Sequence, residues 1–185
     1  REVDLPLTGV LLEPVARNTA PAVAAAAVCA SKRFGDAAVL QVLASDHEIC
    51  VDEQYLDALM RAHKAASAGK LVTFGITPTE PATGYGYIEI GDALPDGAHA
   101  MKRFVEKPDL ATAHALLEHG GFVWNSGIFM FSVRRILSEM RDLVPAIAEA
   151  AADAVAEAIQ RSGVPAARRC SATAFSRAPS ATGSP

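Results

Sequence analysis

Two rhythms of apolar residues alternate along the first 75 positions. Val10–Leu12 is a short apolar run closed by Glu13-Pro14, which predicts a buried strand with a Pro-marked stop. Asn18-Thr19-Ala20-Pro21 then opens an Ala/Val run that lasts to Arg33. A capping side chain on Asn18 or Thr19, with Pro in the first turn, predicts a helix start there. Ala38–Leu43 reads as a second buried strand, closed by Ala44-Ser45-Asp46-His47. From Asp52 to Ala68, Tyr55, Leu56, Leu59, Met60 and His63 recur at helical spacing, and Gly69 ends the pattern. Leu71–Gly75 is the third predicted strand. Strand, helix, strand, helix, strand implies right-handed crossovers and a parallel, doubly wound sheet.

The rhythm changes after Gly75. Tyr85–Ile90 and Ala100–Val105 read as strands joined through Leu94-Pro95-Asp96-Gly97, with no helix between them. Leu110–His119 predicts a helix stopped by Gly120-Gly121. Phe122–Phe131 predicts a strand broken at Asn125-Ser126-Gly127, and Val133–Met140 and Pro145–Arg161 predict helices. The expected fold class is α/β, with a mixed, mainly parallel sheet flanked by helices. Residues 1–165 are expected to form one domain. The Ser-, Ala- and Pro-rich stretch from Ser171, and with it 166–185, is expected to be a disordered tail.

Composition narrows the function. At 185 residues, half apolar and 21% charged, the chain can bury a core of its own. A net charge of -4 gives no basic footprint, so no nucleic-acid partner is expected. No apolar run approaches the roughly 18 residues of a spanning helix, so no membrane is expected either. Cys29, Cys50 and Cys170 match neither a disulfide framework nor a zinc pattern, which points to a cytoplasmic protein. The start at Arg1 and the tail suggest a piece of a longer protein.

The candidate chemistry gathers between Thr73 and Lys107, with a second lobe at Arg17-Asn18-Thr19 and Asp46-His47. Asp46 follows a predicted strand end, where an open sheet places its ligands. Its carboxylate suits Mg²⁺, or else caps the following loop. Arg17, Asn18 and Thr19 either cap the helix or also read a polar ligand. Gly84 and Gly86, around Tyr85, permit close backbone approach or an ordinary turn. Glu106 can accept from sugar hydroxyls and Lys107 can hold a phosphate, unless the two form a surface ion pair. Asn125 lies in an apolar strand beside Trp124, so a ligand or the backbone must satisfy its amide. Together these groups suit a small, polyhydroxylated, phosphorylated ligand.

Five segments, EPVARNTAPA, VLASDH, TFGITPTEPATGYGYIE, FVEKPD and WNSGIFMF, stand in an order that closely resembles bacterial mannose-1-phosphate guanylyltransferases. They look most like the long form fused to a mannose-6-phosphate isomerase domain. The resemblance runs from about Val10 to about Pro145. It implies a nucleotidyltransferase fold that joins GTP and mannose 1-phosphate into GDP-mannose and pyrophosphate with Mg²⁺, for polysaccharide biosynthesis. It also implies Glu13, Arg17, Asn18 and Thr19 along the base pocket, and Asp46 on Mg²⁺. Gly84 and Tyr85 would approach the sugar, Glu106 its hydroxyls, Lys107 its phosphate, and Asn125 the mannose ring. Asp46 and Lys107 would carry the catalysis; a homo-oligomer is compatible with all of this.

Several departures stand beside the resemblance. The family's Gly-rich loop, G-G-x-G-T-R-L-x-P-L, has no counterpart in these 185 residues. Nor does its later strand, roughly S-I-D-Y-A-V-M-E, with a second metal-binding Asp. Ala16 replaces the usual Gly, and Ala44-Ser45 the usual Pro-Ala or Pro-Ser. Impaired catalysis and marginal stability are therefore expected of the chain by itself. The alternatives are a nucleotidyltransferase for another sugar 1-phosphate, or a non-catalytic remnant that binds a ligand or a partner chain.

Overall fold

Ala-rich segments can form helices with small, buried contact faces, and the first and last helices pack on such faces. The structure, a computed structural model, describes residues 9–13 and 18–162. These residues divide into two compact units, one of 9–13 and 18–38 with 132–162 and one of 39–131.

The first unit is helical. Helix α1 (Thr19–Phe34) ends at Gly35, whose N–H returns to the Ser31 carbonyl. Its buried face is Val23, Ala24, Ala25, Ala27 and Ala30. Two helices that follow the sheet segment in sequence, Val133–Leu143 and Pro145–Ser162, pack against α1 and each other. They bury Val133, Leu137 and Met140, then Ile147, Ala151, Ala154, Val155 and Ala158. Small side chains on facing helices allow close approach and make volume the controlling variable.

The second unit holds strands β1 (Val39–Val42), β2 (Val72–Ile76), β3 (Tyr87–Ala93), β4 (His99–Val105) and β5 (Phe122–Ser132), with β5 ending at the unit boundary. Helix α2 (Glu53–Ser67) links β1 to β2, and α3 (Leu110–His119) links β4 to β5. The sheet order is β1-β5-β3-β4, and β2 also pairs with β5. Asp52 caps α2 by accepting from the Tyr55 N–H at 2.8 Å.

The α/β class and the sheet flanked by helices are as expected, but the parallel majority is not. β2 with β5, β3 with β4, and β3 with β5 all pair antiparallel. Strands β3 and β4 are antiparallel because the short Leu94–Ala98 turn joins them as a hairpin, and β5 runs antiparallel to β2 on one edge and to β3 on the other.

Other expectations need correction. Residues 9–13 form no strand, and Val10 and Leu12 are exposed; a three-residue run before Pro has no partner to complete its ladder. Asn18 stands at the cap of α1 but its side chain makes no capping bond. On α2 the buried residues are Ala62, Ala65 and Ala66, while Leu56 and Met60 are exposed. Leu59, with Val39, Val72 and Phe74, packs on the Ala62, Ala66 and Met130 cluster. The bulkier stripe lost to the one whose small side chains let α2 approach the sheet.

Strand β5 is not broken at Asn125-Ser126-Gly127. Instead Thr73 pairs with Phe129 and Gly75 with Asn125. Two steps on β2 thus match four on β5, which is a bulge, and Gly127 takes its left-handed φ of 71°. Gly75 is required opposite it: a Cβ there would lie 2.3 Å from a Val123 methyl carbon. The expected tail, 166–185, lies outside the described residues.

Candidate functional site

Gly86 is where the sheet unit brings its candidate groups together. A Cβ built on it would meet the Phe104 ring at 2.5 Å and Glu106 Oε2 at 3.1 Å. Its carbonyl accepts the Asn125 N–H at 2.7 Å. Three elements thus converge: the loop before β3, the end of β4, and the middle of β5. Gly84 differs, since a Cβ there would meet nothing within 4 Å.

The loop between β2 and β3 is fastened by Tyr87, which belongs to the Gly84–Tyr87 motif and to which the sequence assigned no role of its own. Tyr87 is fully buried and its hydroxyl donates to the Ala82 carbonyl at 2.8 Å. Next to it, the ring of Tyr85 is half exposed and rests on Trp124, with centroids 5.0 Å apart and planes inclined by 44°. The Trp124 indole N–H is buried and has no acceptor among the described residues.

Glu106 and Lys107 leave β4 toward α3. Lys107 Nζ lies 3.7 Å from Glu106 Oε1. Both side chains are 60% exposed or more, so this loose pair adds little stability and leaves both charges open to a ligand. Lys107 has a φ of 39°, the positive value found at a non-glycine among the described residues. Such a backbone persists only where its neighbours impose it. On one side Val105 is paired with Tyr87. On the other, Pro108 is buried and Asp109 caps α3, accepting from the Thr112 N–H at 2.7 Å. That backbone N–H, and then the Thr112 side chain, hold the Asp109 carboxyl below its usual range.

Asn125 is half-buried. Its amide oxygen accepts from the Thr73 hydroxyl at 2.8 Å and from the Gly127 N–H at 3.4 Å. Both bonds use the oxygen, so the NH₂ group is the end that can donate to a ligand. Thr73 fixes the amide from across the sheet; its placement opposite the bulge was not visible in sequence.

Asp46 and His47 are exposed just beyond β1. Among the described residues no group of three or more His, Cys, Asp or Glu is placed to hold a metal. A single exposed carboxylate fits Mg²⁺ in one way, with phosphate oxygens and water completing the shell. Glu13, Asn18 and Thr19 are exposed and belong to the helical unit. Arg17 lies outside the described residues. A cavity of about 390 Å³ lies elsewhere in the sheet unit, between α2, β2 and the β3–β4 hairpin, and is mostly apolar. It shares Thr73 and Gly75 with the surroundings of Asn125. Among the described residues no helix is long and apolar enough to cross a membrane.

The family model for nucleotidyl transferases matches residues 7–167. A mannose-1-phosphate guanylyltransferase of Sinorhizobium fredii is 52% identical over 155 residues, covering 84% of this chain and 30% of that protein. The xanthan biosynthesis protein XanB of Xanthomonas campestris is 53% identical over 143 residues, 77% of this chain and 30% of that one. The chain thus spans about a third of the length of the curated relatives it matches. Among solved structures, a mannose-6-phosphate isomerase from Helicobacter pylori superposes with a TM-score of 0.70 at 37% identity, over 81% of this chain and 55% of that one. A mannose-1-phosphate geranyltransferase from Thermus thermophilus gives 0.70 at 34% identity, over 91% and 50%.

Proposed function

The chain belongs to the nucleotidyl transferase family, and from that premise we propose that it serves a mannose-1-phosphate guanylyltransferase, converting GTP and mannose 1-phosphate into GDP-mannose and pyrophosphate. The observation that carries this reading is the convergence at Gly86 of the Glu106 carboxylate, the Asn125 backbone and the ring-bearing Tyr85 loop, next to the constrained Lys107. A hexose phosphate needs hydroxyl acceptors, an amide donor and a cation within one ring's reach. The identities near 50% to proteins that carry this activity's name support the choice of sugar.

Each residue has a part. Glu106 accepts from the sugar hydroxyls and the Asn125 NH₂ donates to the ring oxygens. Lys107 neutralises the phosphate of mannose 1-phosphate. Gly84 leaves open space for the backbone to approach the sugar, beside Tyr85. Glu13, Arg17, Asn18 and Thr19 are proposed to line the guanine nucleotide. A phosphate oxygen of the sugar attacks the α-phosphorus of GTP, a new P–O bond forms, and the bond to pyrophosphate breaks. No protein nucleophile is needed; positioning and charge neutralisation lower the barrier. Asp46 would hold Mg²⁺, which supplies Lewis-acid neutralisation of the triphosphate. The setting proposed is the cytoplasm, in a pathway that feeds a polysaccharide.

Calorimetric titration of the chain with mannose 1-phosphate and with GDP-mannose plus Mg²⁺ tests the reading. Lys107→Ala should weaken binding about tenfold to a hundredfold, the value of one charge-assisted hydrogen bond. Equal binding by wild type and Lys107→Ala would refute the phosphate role. Tighter binding of glucose 1-phosphate than of mannose 1-phosphate would refute the sugar.

A further inference from the structure

Trp124 is the one tryptophan of the chain, and the proposed reaction gives it no part. Its indole N–H is buried without an acceptor among the described residues. Nothing polar among them holds the ring. Packing holds it instead, against the cluster of Tyr87, Ala113, Leu116 and Phe122. Tyr85 lies on the other part of this ring.

Tyr85 needs such support. Half its surface is exposed, and the position of the preceding Gly84 is open. A half-exposed side chain without a backing must be ordered when a ligand arrives, and that ordering opposes binding. A backed ring is ordered beforehand. Its free face is apolar and flat, and it stands beside Gly86, where Glu106 and Asn125 converge.

Resting on the sugar-phosphate reading of this site, we propose that Trp124 is a positioning residue. It holds Tyr85 as a rigid apolar platform on which the C–H face of the hexose stacks, while Glu106 and Asn125 read the hydroxyl edge. Aromatic pairs in tilted contact have enough mutual attraction to set one ring by the other. The platform orients the sugar; it takes no part in bond making.

The test titrates the full chain with mannose 1-phosphate and with GDP-mannose, by calorimetry and by Trp124 emission. Wild type is compared with Trp124→Phe, Trp124→Leu and Tyr85→Ala, each checked by its thermal transition. Phenylalanine keeps a ring and sacrifices no hydrogen bond, because the indole N–H makes none among the described residues. Trp124→Phe should bind within about twofold of wild type, and Trp124→Leu and Tyr85→Ala about tenfold more weakly. Ligand should change the emission of wild type and leave that of Tyr85→Ala unchanged. If Trp124→Leu does not fold, Tyr85→Ala alone decides. A folded Trp124→Leu that binds like wild type overturns the inference and leaves the functional reading standing. Equal losses in Trp124→Phe and Trp124→Leu also overturn it, since an indole rather than a platform would then matter. Binding of neither ligand by wild type overturns the functional reading, and the inference with it.

Discussion

At Lys107 stability and binding pull in opposite directions. Its left-handed backbone is imposed by β4 on one side and by buried Pro108 and capping Asp109 on the other. Lys107→Gly should raise the thermal midpoint by relieving about 1 kcal/mol of backbone strain, while weakening binding of the sugar phosphate as Lys107→Ala does. A lower midpoint in the glycine variant would show that the backbone there is unstrained. Gly86 is the reverse case. Gly86→Ala drives a methyl into the Phe104 ring and the Glu106 carboxylate, and should cost about 1–3 kcal/mol in thermal unfolding together with ligand binding. Sequence alone marked Gly86 for the backbone approach it permits, Glu106 and Lys107 as a carboxylate and an ammonium group closing a strand at Pro108, and Asn125 as an amide in an apolar strand. It gave no role to Phe104, Thr73 or Tyr87, because an aromatic or a threonine in a strand is ordinary until its partner in the fold is known.

Among the elements, the β3–β4 hairpin has a charge cluster of its own. Glu89, its side chain largely covered, accepts from Lys102 Nζ at 2.6 Å and from Arg103 Nε at 3.1 Å. The Lys102 hydrogen bond first, then both cations, hold the Glu89 carboxyl below its ordinary 4.5. A lowered folded pKa stabilises above the unfolded value and is lost as pH falls through the folded one. Wild type should therefore melt above Glu89→Gln at pH 7, with the gap closing well below pH 4.5; a pH-independent gap would refute the linkage. The loop before β3 depends on one phenol, and Tyr87→Phe should cost about 1 kcal/mol in unfolding and loosen sugar binding without touching any ligand contact. Helices and strands were legible from period and turn residues; α3 was placed residue for residue. The direction of β3 against β4 was legible from the turn that joins them, but that of β2 and β3 against β5 was not, because those pairs are distant in sequence.

For the molecule as a whole, the two units have different sensitivities. The helical unit packs alanines of α1 against the final helix, with Ala24, Ala27, Ala151 and Ala154 at or near zero exposure. Ala27→Leu has no space to enter and should lower stability by about 1–3 kcal/mol, read as a drop in thermal midpoint. The class of the fold came through in sequence because strands and helices alternate in the pattern of apolar residues, and the family because five motifs kept their order. The division into two units did not, because the helices that join α1 lie about a hundred residues further along the chain.

Strand β5 pairs with β1, β2 and β3, so it has neighbours along both edges. Opening it would break ladders to all three at once. Its amides should therefore be among the slowest to exchange with heavy water, and those of residues 77–86, outside any strand or helix, among the fastest. Trp124 and Asn125 ride on the slow element and Tyr85 on the fast one. The proposed sugar pocket thus has one wall fixed before the ligand arrives and one moored to it by the Tyr85 ring and the Gly86 carbonyl, and the remaining entropy of recognition falls on the backbone of the loop residues before them.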